Sequence, residues 1–229
     1  MAFALLFLVV ALVVLPLPQL WVERVIRRNS RERPADFPLP GGALARQMLD
    51  RRGLQAVAVE KTTQGDHYDP EAKAVRLSPA LFDGRSLAAV AIAAHEVGHA
   101  IQDAEGYAPL ARRQRIARAA AGLSKAAVVV MLLAPILVLV TKSPNAAVLE
   151  TALGAALFAL GACLHALSLP VEHDASFRRA LPMLREGGHV GERDLREARS
   201  LLRAAALTYV ATAAMDVLNI MRWFRILRP

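Results

Sequence analysis

Residues 95–99 read His95-Glu96-Val97-Gly98-His99, an HExxH run. On a helix, positions i and i+4 lie one above the other on the same face. Two imidazoles at that spacing can grip one metal ion. Glu96 follows the first of them, placed to reach a water on the metal without binding the metal itself. The chemistry this pattern serves is that of a zinc hydrolase.

The run needs a helix to carry it. Residues 86–104 read SLAAVAIAAHEVGHAIQDA, rich in Ala and free of Pro. Ser86 is suited to an N-cap. Leu87, Val90, Ala91, Ala94, Val97 and Ile101 recur at helical spacing. Gly106 follows as a stop. Gly98 is a poor helix former between the two imidazoles, and a small residue there lets another backbone or a substrate come close.

The elements before this helix are short. Residues 34–40 (PADFPLP) read as a linker, and Gly42–Arg52 as a helix stopped by Gly53. Gln55–Lys61 alternates like a strand. A polar turn, TTQGDHYDPEA, leads to a second strand at Ala74–Ser78. The order is helix, strand, strand, metal helix, and the two strands are expected to form a short β-hairpin. A free strand edge there could hold an extended peptide over the metal.

The chain has 229 residues, 55% of them hydrophobic and 5% aromatic, and a formal net charge of +8. There is no zinc-finger spacing and no aromatic-basic RNA signature, so no nucleic acid partner is expected. Cys163 is the only cysteine, which excludes an intramolecular disulfide. The arginines cluster beside apolar blocks, where they read as membrane-topology signals. Residues 1–22 are uncharged and long enough to span a bilayer. Two further blocks, 120–141 and 147–169, flank a turn at Lys142-Ser143-Pro144-Asn145 and read as a transmembrane hairpin, kinked at Pro135. A fourth stretch, 204–221, contains Asp216 and Asn219 and reads either as a span or as a packed helix.

The expected fold is a mainly α integral membrane protein. It has a zincin-like catalytic part, with a short β-hairpin and an HExxH helix, plus three or four transmembrane helices. The boundaries are 1–22 for the anchor, 23–118 for the metallopeptidase part and 119–169 for the hairpin. Residues 170–203 carry the third ligand, and 204–229 form a last apolar helix with a basic tail. The basic segments fall on one side if the chain is multi-pass in the inner (cytoplasmic) membrane with its active site facing the cytoplasm. The bilayer is then one partner and a peptide or protein substrate the other.

A catalytic zinc site takes three protein ligands and an open position. Downstream candidates are Glu105, His165, Glu172, His173, Asp174 and His189. The run from Pro170 to Ala180 is the most informative, because Pro170 and the acidic residues suit a helix's first turn. Glu172 and Ser176 are four apart and share a face. This points to two His from one helix and a Glu from another.

Several segments come together in a familiar order: His67-Tyr68-Asp69-Pro70, Arg76-Leu77-Ser78, Ala94 to Gln102, Gly106 to Leu110, Glu172-x-x-Ala175-Ser176-x-x-Arg179-Ala180, and Ala206 to Ala211. From about residue 37 onward the chain resembles the bacterial neutral zinc metallopeptidase family of YugP type. That family is similar in logic to membrane proteases of the HtpX and CAAX-prenyl type, whose second motif is Glu-x-x-Ala-Asp. The resemblance implies that Glu172 is the third zinc ligand. Ser176 stands where those relatives have Asp, and His173 replaces an aromatic residue.

The expected reaction is hydrolysis of peptide bonds by a membrane-bound zinc endopeptidase. One Zn²⁺ on His95, His99 and Glu172 would activate a water, and Glu96 would carry its proton to the leaving amine. Oxyanion or substrate contacts would come from among His67, Tyr68, Tyr107, Arg112 and Tyr209. The alternative is a zinc-binding membrane scaffold or pseudo-protease without turnover.

Overall fold

A computed structural model describes residues 17–30, 37–143, 167–188 and 190–207, together with 149, 152–154, 156, 157 and 160. The chain divides into two units. One consists of Trp21–Arg112 with Pro170–Leu207 and holds all the candidate site residues that are described. The other takes in the described residues of Met1–Leu20 and Arg113–Leu169.

The first unit is built around one helix. Helices α1 (Leu17–Asn29) and α2 (Gly41–Arg51) come first. Strands β1 (Ala58–Lys61), β2 (His67–Asp69) and β3 (Ala74–Leu77) follow, then a single turn, α3 (Pro79–Phe82), and the metal helix α4 (Leu87–Ala104). The long α5 (Ala108–Thr141) leads out of the unit. The chain returns through α6 (Leu169–His173), a π-helical segment (Asp174–Ala180) and α7 (Leu181–Glu186), and ends its described part in α8, residues 192–207.

Every residue of α4 from Leu87 to Gln102 is buried. A helix apolar all round needs neighbours on every side, and its alanines let them come close. Leu44 and Leu49 of α2, Val75 and Leu77 of β3, and Leu184, Leu201 and Leu202 from the returning segments belong to the same core. Ser86 caps the helix, its Oγ accepting from the Ala89 N–H at 3.2 Å. Beyond the other end, Gly106 takes φ +64°, a conformation glycine adopts without strain.

The sheet departs from the hairpin expected between the Gln55–Lys61 and Ala74–Ser78 strands. Its order is β1-β3-β2, with β1 parallel to β3 and β2 antiparallel to it. The hairpin is β2–β3, with β2 inside the stretch read as a polar turn and β3 on the expected second strand. Asp69 Oδ1 accepts from the N–H groups of Glu71 and Ala72 at 2.9 and 3.0 Å, and Lys73 takes φ +51°, so four residues reverse the chain. Arg76 on the central strand ties both edges, donating to Glu60 Oε2 at 3.0 Å and Asp69 Oδ2 at 2.6 Å. The strand next to the metal helix in sequence, β3, therefore has no free edge. The free edges belong to β1 and β2.

The membrane architecture is also corrected. Among the described residues no helix is long and apolar enough to cross a membrane. The long α5 carries Arg112, Arg113, Arg115 and Arg118 in its first half and Lys125 just past its middle, and it runs unbroken through Pro135. Trp21 and Val22, the last two residues of the expected 1–22 anchor, belong to the first unit with the rest of α1, where Val22 is buried and Val25 and Ile26 lie against the core. Residues 1–16, most of 147–169 and 208–229 lie outside the described residues. The described fold is mainly helical with a small mixed sheet. It supports neither three or four transmembrane helices nor a lipid bilayer as partner. The multi-pass inner-membrane placement with a cytoplasm-facing site, which rested on those spans, falls with them.

Candidate metal centre

The centre forms where α4 meets the returning segment. Pro170 stands in the first turn of α6, where its missing N–H costs nothing. The helix then widens into a π-helical turn from Asp174 to Ala180, a geometry frequent at functional sites. Glu172, Asp174, Ala175 and Ser176 are buried. Gly98 makes this approach possible. A Cβ at that position would lie 2.8 Å from the Ala175 carbonyl oxygen and 3.3 Å from the Ala175 Cα.

His95, His99 and Glu172 converge there, with one ligand atom from each lying within 4.8 Å of the others. Glu172 Oε2 is 3.2 Å from His95 Nε2 and 3.4 Å from His99 Nε2. The rings stand nearly edge to face, centroids 4.7 Å apart. All three residues are buried, Glu172 to 1% exposure. The cluster is drawn from two elements far apart in sequence, not from the contiguous run alone. Glu96, within the run, is not one of the three, though it is buried beside them in the chain.

The Nδ1 atoms have partners of their own. Ser176 Oγ lies 3.0 Å from His95 Nδ1 and 3.2 Å from the Leu202 carbonyl oxygen. The hydroxyl has one proton, which goes to the carbonyl, so its oxygen accepts from His95. Gln102 Oε1 lies 2.9 Å from His99 Nδ1. Asp174 accepts from Gln102 Nε2 at 2.8 Å and from Arg179 Nε at 2.7 Å, and Arg179 also donates to Glu105 at 2.8 Å. Burial pushes the Asp174 carboxyl up, but the bonds from Arg179 and Gln102 outweigh it and hold its pKa below the ordinary value. Burial likewise works against the Arg179 charge, and Asp174 and Glu105 hold its pKa above normal.

The other candidates are placed elsewhere. Glu105 is paired with Arg179, whose guanidinium sits 5.6 Å from the Tyr107 ring centroid. His173 is exposed, its ring 4.8 Å from that of Phe177. His67 lies on β2 with Nδ1 2.8 Å from the Gly65 carbonyl oxygen. Tyr68 donates to Asp103 at 2.6 Å, and burial with that carboxylate raises the pKa of its phenol. Arg112 is exposed on α5. His165, His189 and Tyr209 lie outside the described residues. Gln102 was missed by the sequence reading. Its signal was its position three residues after His99, on the same helix face.

Two imidazoles and a carboxylate form a donor set suited to one divalent ion, and among the described residues these three make up the cluster, the number a catalytic zinc site takes beside its open position. Joined to a mainly helical fold, they define a protein of the zinc-metallopeptidase type. The chain matches the family described as "Putative neutral zinc metallopeptidase" over residues 4–228, and it belongs to that family. It is 36% identical over 191 residues to "Putative membrane protease YugP" of Bacillus subtilis (strain 168), covering 81% of this chain and 80% of the relative. No solved structure matches it.

Proposed function

We propose that the protein hydrolyses peptide bonds with the help of one zinc ion. The observation that carries this reading is the convergence of His95, His99 and Glu172 ligand atoms within 4.8 Å in a buried site. The donor set fits zinc. Both Nδ1 atoms have acceptors, which leaves both Nε2 lone pairs facing the Glu172 carboxylate. His95, His99 and Glu172 would hold the ion, which when bound supplies Lewis acidity to a water and to the scissile carbonyl.

Glu96 acts on the proton. As a carboxylate it takes a proton from the attacking water and returns it to the leaving amine nitrogen. Its burial keeps the transfer away from bulk water. Family membership supports the reaction class, and a peptide or protein is the fitting substrate.

A second reading, metal binding without turnover, is favoured by the cluster itself, which is compatible with a metal in a peptidase-family fold. Glu96 separates the two, since a purely structural site has no use for a base. The test is cleavage of an unfolded polypeptide by the full chain, with zinc content measured on the same samples. Glu96→Gln is expected to keep zinc and lose cleavage. Zinc-loaded wild type that cleaves no more than Glu96→Gln would leave the second reading standing.

A further inference from the structure

One buried side chain spans the two halves of the metal centre. Gln102 is 0% exposed, and its amide is engaged at both ends. Nε2 donates to the Val171 carbonyl oxygen at 3.0 Å and to Asp174 Oδ2 at 2.8 Å. Those two partners bracket Glu172. Oε1 meets His99 Nδ1 at 2.9 Å.

The orientation of this amide follows from its neighbours. A carbonyl oxygen can only accept, so the nitrogen end must face Val171. The oxygen end then faces His99, and the ring must supply the proton from Nδ1. His99 Nε2 is left with its lone pair, 3.4 Å from Glu172 Oε2. A glutamine that only filled space would need none of these bonds, and one that only capped Val171 would not need to reach the ring.

We infer that Gln102 is a positioning residue for two of the three metal ligands. It selects the tautomer of His99 and, through the same amide, holds the Val171 carbonyl on one side of Glu172 and the Asp174 carboxylate on the other. The two elements that supply the ligands are thereby brought into register through a single side chain. Ser176 also bridges the returning segment to α4 but meets only His95 among the ligands, whereas Gln102 meets His99 directly and grips the residues on either side of Glu172. The inference rests on the metal-site reading proposed above.

The test uses the full chain and two measurements. The first is ¹⁵N chemical shifts of the histidine rings in the metal-free wild type at a pH where they are neutral. His99 is expected to carry its proton on Nδ1, and a proton on Nε2 overturns the inference. The second compares wild type with Gln102→Met, which keeps the volume and removes both polar ends. Competition with a chromophoric chelator is expected to show zinc bound about 10–100-fold more weakly by the variant. The visible spectrum of Co²⁺ in the variant is expected to shift as the ligand geometry loosens. A folded Gln102→Met with wild-type zinc affinity and an unchanged cobalt spectrum overturns the inference. If the variant does not fold, the tautomer measurement decides alone. Wild type that binds no zinc would sink the metal-site reading, and the tautomer of His99 would still decide the role of Gln102.

Discussion

Replacing Gly98 with Ala sets two effects against each other, and the structure fixes the sign of the result. In an exposed helix interior, Ala is favoured over Gly by about 1 kcal/mol. At this position the new Cβ would sit 2.8 Å from the Ala175 carbonyl oxygen, closer than real Cβ contacts come. The obstruction is backbone, so no side chain can rotate away. Overpacking costs about 1–3 kcal/mol, and a rigid obstruction belongs near the upper end of that range. The net expectation is a loss of about 2 kcal/mol, or a fall of about 4–8 °C in unfolding midpoint. The contact must open by a few tenths of an ångström. Ala175 lies between Glu172 and Ser176, so the shift also separates Glu172 from the imidazoles. Sites of this kind tolerate only about 0.5 Å, and zinc affinity should fall along with stability. Urea unfolding of the metal-free chain and chelator competition read the two effects separately. A Gly98→Ala chain as stable as wild type, or more stable, would refute the argument, because helix propensity alone would then describe the site.

Glu172→Ala removes the ligand that comes from the second element, and zinc should be lost on dialysis. The loss should exceed the about 10–100-fold typical of outer partners, and full metal retention by inductively coupled plasma mass spectrometry would reject the assignment. Ser176→Ala removes the acceptor at His95 Nδ1 and should weaken zinc about 10-fold in the same competition assay. Asp69 has a pKa below its ordinary value of 3.8, held there first by the Ala72 N–H, then against some burial by Glu71 and Arg76. A lowered folded pKa contributes stability that is present above the unfolded value and lost as pH falls through the folded one. The stability advantage of wild type over Asp69→Asn in urea should therefore be constant near neutrality and shrink below pH ~4. An advantage independent of pH would count against this.

The sequence determined what repeats locally. The spacing of His95 and His99 puts both rings on one helix face whatever the rest of the chain does. Ser86 and Gly106 mark where that helix begins and where the chain leaves it, since caps satisfy backbone groups within a few residues. The small residue at 98 already signalled a close approach. The identity of the visitor, Ala175, did not follow from it.

Only tertiary structure decided the rest, because each remaining feature joins residues with no local reason to meet. Ser176 and His95 are 81 residues apart. The sequence reading saw a serine where relatives have Asp and left His95 without a partner, while the fold supplies the hydroxyl with its proton already committed to Leu202. Parallel pairing of β1 with β3 depends on a connection that places β2 on the far side, and strand alternation carries no information about pairing order. The apolar blocks misled for a related reason. The block at 120–141 forms the later part of α5, where Val129, Leu132 and Ile136 are exposed, yet among the described residues no helix is long and apolar enough to cross a membrane, so an apolar run by itself does not decide what a segment meets. The helix was written in the sequence, but the site exists only because a second segment folds back onto it.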